Sequence, residues 1–187
     1  MAKIVLNLLI TFDGFIAGEN DEIDWIEKVH KRDSGSEKFD FSSFTSKVGA
    51  IITGSRSYKL GIEHGWFKNN AYGPSPIFVL CKNVPDEKSN DADFRYVAKG
   101  IKDAHNQANK AAGDKWIYLF GGADVFQQFF NEDLVDEMFI TIAPIIIGKG
   151  IRLFDNLKER HIELDVYEVK HHSNGMIETK SRIIKNK

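Results

Sequence analysis

Residues 116–124 read Trp116-Ile117-Tyr118-Leu119-Phe120-Gly121-Gly122-Ala123-Asp124. The apolar and aromatic run has the length of a strand buried on both faces, and it stops abruptly at two glycines. Beyond them Val125, Phe126, Phe129 and Phe130 recur at helical spacing, so the chain passes from strand to helix through Gly121-Gly122. Glycine admits backbone angles and close approaches that a Cβ forbids. The helix that follows presents unpaired N–H groups and the positive end of its dipole. Such a junction at the carboxyl edge of an α/β sheet is how α/β proteins cradle a pyrophosphate. It serves equally as a plain tight turn, and it is not the G-x-G-x-x-G fingerprint.

A second segment repeats the arrangement. Val48–Thr53 reads as a strand, Gly54-Ser55 ends it, and a helix begins through Arg56-Ser57-Tyr58. The hydroxyls of Thr53, Ser55 and Ser57 suit phosphate oxygens, and the planar fork of Arg56 suits a 2′-phosphate on an adenosine ribose. Read this way, the segment favours NADPH over NADH; read plainly, Ser55 caps a helix and Arg56 lies in solvent. Two such exits from parallel strands point to one dinucleotide more strongly than either alone.

Around these segments strands are expected at 3–10, 77–81, 94–98 and 134–143. A helix near Asp21 would carry Trp25, Ile26 and Val29; another, opened by Ser36 or Asp40, would carry Phe39, Phe41 and Phe44. Ile101–Ala112 has one apolar face and is stopped by Gly113. Residues 11–24 and 61–76 read as loops from their turn residues. Two strands at 162–170 and 176–184 flank Asn174-Gly175, a hairpin signal. Alternating strands and helices predict a three-layer α/β/α domain with a mostly parallel sheet and an antiparallel C-terminal edge. No composition break divides residues 1–187, so a single domain is expected.

Composition narrows the function. A net charge of −2 and a pI near 6.3 provide no basic field for nucleic acid or anionic lipid. The single Cys81 cannot form an internal disulfide, which suits a reducing, cytoplasmic setting, and its apolar context reads as a packed thiol. The run Ile4–Ile10 is interrupted by Asn7 and followed by Thr11-Phe12-Asp13-Gly14, which makes it a first core strand rather than a leader. No stretch is long enough to cross a bilayer. His64, His161, His171 and His172 lack metal-ligand spacing, so no metal is expected. Asp13 and Asp24 are the acidic nominees for a proton donor, although Asp13-Gly14 is also an ordinary turn pair. The turn Gly148-Lys149-Gly150 could bring the Gly148 N–H to a phosphate or lie on the surface.

Taken in order, these segments resemble the dihydrofolate-reductase-like superfamily, and within it the reductase domain of the bifunctional riboflavin-biosynthesis deaminase–reductase and its stand-alone bacterial relatives. The resemblance rests on Gly121-Gly122-Ala123, Leu134-Val135-Asp136-Glu137, Ile142-Ala143-Pro144-Ile145-Ile146-Ile147-Gly148-Lys149-Gly150 and Leu153-Phe154, with Asp13-Gly14-Phe15-Ile16-Ala17 after the first strand. It implies NADPH, a homodimer, and hydride transfer to a small heterocyclic or ribosylamino-pyrimidine substrate. Gly54, Ser55 and Arg56 would meet the adenosine phosphates, and Gly121 to Asp124 the pyrophosphate. A dihydrofolate or pterin reductase and a non-catalytic, NADPH-binding dimeric sensor are the alternatives. Folate reductases carry a carboxylate one helical turn beyond a tryptophan; here Trp25 is followed at that place by Val29-His30. The substrate-phosphate segment of the riboflavin type has no counterpart in Leu60-Gly61-Ile62-Glu63-His64-Gly65-Trp66.

Overall fold

A computed structural model describes residues 1–31, 41–86, 89–158 and 161–185. Its main elements are β1 (Ile4–Thr11), β2 (Phe15–Ala17), α1 (Asp24–His30), α2 (Phe41–Thr45), β3 (Val48–Gly54), α3 (Ser55–Glu63), β4 (Ile77–Leu80) and β5 (Phe94–Val97). They continue with α4 (Ile101–Ala112), β6 (Trp116–Gly121), α5 (Ala123–Asn131), β7 (Glu137–Ala143), β8 (Ile151–Arg152), β9 (Glu163–His171) and β10 (Ile177–Ile184).

Eight strands form one sheet in the order β5-β4-β3-β6-β1-β7-β10-β9. Pairing is parallel from β5 to β7 and antiparallel from β7 through β10 to β9. The continuous apolar runs follow from burial on both faces. Ile4, Leu6, Ile52 and Leu119 pack with Ala104, Ala108, Phe126 and Phe129 of α4 and α5. Val5, Ile51 and Tyr118 pack on the opposite face with Phe44 of α2 and Tyr58 of α3. Trp25 and Val29 of α1 close a smaller cluster with Ala143 and Met176. The expected three layers and antiparallel C-terminal edge are therefore present. No helix among the described residues is long and apolar enough to cross a membrane.

Several local expectations change. Residues 11–24 contain β2, which pairs with β8 in a small second sheet. The α1 helix begins at Asp24, and Asp21 sits before it with a left-handed backbone (φ 66°). The expected loop at 61–76 starts inside α3 and is pinned by Phe67, which is 1% exposed. The Phe67 ring lies against the bare Cα of Gly61, where a Cβ would overlap it. Cys81 lies one residue past β4 and is partly exposed rather than packed within the strand. The seventh strand starts at Glu137, not Leu134. Ser36, Phe39 and Asp40 lie outside the described residues.

The register creates an opening. β1 pairs with β7 from Val5 to Thr11, but with β6 only from Ile4 to Leu6. Past Leu6 the sheet splits, leaving Asn7–Leu9 on one side and Phe120–Gly121 on the other. A split in an α/β sheet at its carboxyl edge is the usual place for a ligand.

Candidate functional site

The split opens into a cleft of about 1320 Å³ at the carboxyl ends of β3, β4 and β6. Both glycine-hinged exits line it: Gly54, Ser55, Arg56 and Ser57 on one wall, Gly121, Gly122, Ala123 and Asp124 on the other. They meet because β3 and β6 are parallel neighbours, with Thr53 opposite Gly121. The helices α3 and α5 start immediately beyond, so two N-termini converge on one space.

The approach of the two walls depends on missing side chains. A Cβ on Gly54 would stand 2.9 Å from Val125 Cγ2, and one on Gly122 would stand 2.9 Å from Ser57 Oγ. Gly121 has φ 140°, a conformation that L side chains rarely adopt, and the Gly121–Gly122 peptide is cis. Thr53 ties the hinges together from behind: it is fully buried, and its hydroxyl donates to the Gly121 carbonyl at 3.2 Å. The expected contact of this hydroxyl with a phosphate is thus replaced by a strut between strands. Thr53→Val keeps the shape and leaves that carbonyl without its partner. It should lower unfolding stability by about 1–2 kcal/mol, read by urea denaturation.

Arg56 reaches across the mouth of the cleft. Its Nε donates to the Asp21 carboxylate at 2.7 Å, and the side chain remains 64% exposed. Asp124 lines the cleft but its carboxylate accepts from Gln128 Nε2 at 2.8 Å, which leaves its backbone N–H, not its side chain, suited to an anion. Gly148 lies elsewhere, and its N–H donates to the Asp13 carboxylate at 2.8 Å. Asp13 also accepts from the Ile147 N–H at 3.4 Å. Burial pushes the Asp13 pKa up, but hydrogen bonds from Thr11 and from the backbone at Gly148 and Ile147 outweigh it and hold the carboxyl below its usual range. This pair braces two loops outside the cleft, the turn role expected for Asp-Gly. Asp24 does line the cleft. A hydrogen bond from Lys28 and its charge hold the Asp24 carboxyl below its usual range, so it is ionised at neutral pH.

The profile of the RibD C-terminal domain matches residues 2–177. The chain belongs to the RibD C-terminal domain family. It is 31% identical over 185 residues to the uncharacterised protein YyaP of Bacillus subtilis, covering 94% of this chain and 92% of that one. A putative riboflavin biosynthesis protein from Shewanella sp. PV-4 is similar in structure with a TM-score of 0.82 at 24% identity, covering 99% of this chain and 100% of that one. The Thermotoga maritima diaminohydroxyphosphoribosylaminopyrimidine deaminase/5-amino-6-(5-phosphoribosylamino)uracil reductase superposes with a TM-score of 0.67 at 16% identity, covering 98% of this chain and 57% of that one. A dihydrofolate reductase from Enterococcus faecalis, solved with NADP(H), gives 0.63 at 12% identity, covering 98% and 97%. The fold is therefore dihydrofolate-reductase-like.

Within this RibD-type domain the cleft has walls that the motifs did not reveal. Leu80 at the end of β4, Cys81 and Lys82 beyond it, and Gly100 and Ile101 at the start of α4 extend the lining. Burial raises the Cys81 thiol pKa, so it is not a ready nucleophile. The far side is aromatic: Trp66, Tyr72, Tyr118 and Phe120, with Tyr72 edge-on to Phe120 at 5.2 Å and Trp66 at 6.2 Å from it. His64, expected to be packed or on the surface, stacks on Trp66 at 5.4 Å and borders the cleft. Burial raises the Tyr72 pKa to about 12 and pushes that of Tyr118 well up, so both hydroxyls stay protonated. The sequence signal for this wall was the density of aromatics between residues 66 and 72, which the turn residues obscured. Trp25 is buried, and its Nε1–H has no hydrogen-bond partner among the described residues.

Proposed function

We propose that this protein is an NADPH-dependent reductase acting on a flat nitrogen heterocycle of the ribosylamino-pyrimidine type. The observation that carries this reading is the convergence of two glycine-hinged helix N-termini, on adjacent parallel strands, over the split between β1 and β6. The residues present fit the cofactor. Gly54 and Gly122 bring the two walls together without side chains, beside Ser55 and Ser57 and the N-termini of α3 and α5, and such a cradle of backbone and hydroxyl groups suits a pyrophosphate. Arg56, at the rim, supplies the charge that distinguishes a 2′-phosphate from a hydroxyl.

When bound, the cofactor supplies a hydride from its nicotinamide. The chain's own residues orient and desolvate. Gly121 and Gly122 allow close approach of the phosphates, while the aromatic wall of Trp66, Tyr72, Tyr118 and Phe120 excludes water and offers ring faces to a flat acceptor. Asp24, ionised beside Lys28, is suited to holding a hydroxyl group or ordering a water at the cleft edge rather than to giving up a proton directly. The pyrimidine class draws on the name of the Thermotoga relative and on the family. Folate is disfavoured because Val29, one turn beyond Trp25, is an apolar, fully buried residue.

The same reading includes a homodimer. β9 is the edge strand of the sheet, and Leu164, Val166 and Val169 are exposed along it at 41%, 52% and 65%. An apolar open edge of this length invites pairing with a second copy. Sedimentation at micromolar concentration tests it, with a monomer counting against the pairing.

The test of activity is to mix the protein with NADPH and 5-amino-6-(5-phosphoribosylamino)uracil. Steady loss of the reduced-nicotinamide absorbance is expected. NADPH binding without oxidation by this or any pterin acceptor would favour the non-catalytic sensor instead.

A further inference from the structure

Asn7 sits at the middle of β1, in a run from Ile4 to Ile10 in which every other residue is apolar. It pairs in register with Phe139 and shares a sheet face with Val5. Amides are poor strand formers, and this one is half-buried, at the edge of open space rather than sealed in the core. The Tyr118 hydroxyl donates to the Asn7 backbone carbonyl at 3.0 Å, which leaves the side chain out. That side-chain amide has no hydrogen bond among the described residues.

Its position explains what such a group is for. Asn7 is the first residue of β1 past the last β1–β6 pair, at the base of the split. It lines the main cleft beside Leu9, Tyr118 and Phe120. It also lines a second pocket of about 470 Å³ on the same side, with Lys47, Trp116 and Glu137. In the second pocket the polar neighbours are already engaged: Glu137 accepts from Lys3 Nζ at 2.6 Å and from the Tyr167 hydroxyl at 3.0 Å, and Lys47 lies over the Trp116 ring. The amide's open side is the main cleft, whose nearby lining includes Trp66, Tyr72, Tyr118 and Phe120.

We propose that Asn7 reads the edge of the substrate ring, its amide N–H donating to a ring carbonyl and its amide oxygen accepting from the adjacent ring N–H. This rests on the reductase reading above and names the feature of the heterocycle that the site selects. A planar amide carries one donor and one acceptor side by side, and its complement is a lactam edge, N–H next to C=O, as in a uracil. The aromatic wall takes the face of such a ring while Asn7 takes its edge. A carboxylate in place of the amide would carry two acceptors. It would reject the lactam and favour an edge with two donors, such as a protonated 2-aminopyrimidine.

The experiment is calorimetric titration of 6-aminouracil and of 2,4-diaminopyrimidine into the wild type, Asn7→Asp and Asn7→Leu, each with and without saturating NADPH. The wild type is expected to bind 6-aminouracil, and both variants to lose about tenfold or more. Asn7→Asp is expected to gain 2,4-diaminopyrimidine, and Asn7→Leu is not. The melting temperature of Asn7→Leu should not fall, since an unpaired amide is replaced by an apolar group of similar size. Equal 6-aminouracil affinity in all three proteins overturns the proposal, as does no binding by the wild type. Joint loss of melting temperature and NADPH affinity in Asn7→Leu also overturns it, because it marks a structural role. Because the pyrimidines are scored without cofactor too, failure of the wild type to bind NADPH is seen separately and counts against the cofactor reading alone.

Discussion

Gly122→Val is expected to weaken NADPH binding about 100-fold while leaving the protein folded. Gly122 has φ −83°, a backbone conformation open to any residue, so the substitution adds atoms without demanding a new backbone. The first added atom would stand 2.9 Å from Ser57 Oγ. A hydroxyl on a rotatable side chain can turn away from it. Beyond Ser57 the position opens on the cleft, so the remaining methyl groups take up space at the N-terminus of α5. A phosphate displaced from that space forfeits charge-assisted hydrogen bonds worth about 1.5–3 kcal/mol each, and losing about 2.7 kcal/mol in total is a factor of about 100. Fluorescence titration with NADPH reads the affinity, and thermal unfolding reads the fold. Gly121 is a poorer probe, because its φ of 140° strains any side chain and mixes the two effects. Unchanged affinity in folded Gly122→Val would remove the pyrophosphate from this place.

Arg56→Ala is expected to weaken NADPH about 30-fold and NADH hardly at all. The guanidinium sits at the rim of the cleft, and among the described residues only its Nε is engaged, on Asp21 at 2.7 Å. Its terminal nitrogens form the flat fork that a phosphate accepts. Loss of about 2 kcal/mol from such a contact gives the stated factor. The Asp21–Arg56 pair is too exposed to matter much for stability, since ion pairs of this kind are worth roughly 0–1 kcal/mol. Asp21 does, however, compete with a phosphate for the same group. Asp21→Asn keeps a residue that tolerates the left-handed backbone at this position and removes the competing charge, and NADPH should bind several-fold tighter to it. Equal losses of NADPH and NADH in Arg56→Ala would refute the 2′-phosphate role.

Local chemistry was legible in the sequence, and pairing was not. The strand, glycine and helix succession at Gly54 and at Gly121-Gly122 could be read because each junction is built by neighbouring residues. That the two junctions face each other depends on β3 lying beside β6, a contact such as Thr53 with Gly121, 68 residues apart, that no local pattern encodes. The split beyond Leu6 arises from unequal pairing lengths on the two sides of β1, again a property of the sheet. Thr53 looked like a phosphate ligand because a hydroxyl beside a glycine is ambiguous until its partner is known, and that partner is the Gly121 carbonyl. Asp13 and Gly148 were singled out separately and proved to hold each other. Asn7 was visible as the one polar residue in the run from Ile4 to Ile10, but a period-two pattern gives its face and not the opening beside it.

The most direct measurement is a crystal structure of the protein grown with saturating NADPH. The expected density has the pyrophosphate between residues 54–57 and 121–124, the 2′-phosphate within reach of Arg56, and the nicotinamide in the gap between β1 and β6. A nucleotide lodged on any other surface, or crystals that exclude it at saturation, would contradict the shared anion site on which the reductase assignment stands.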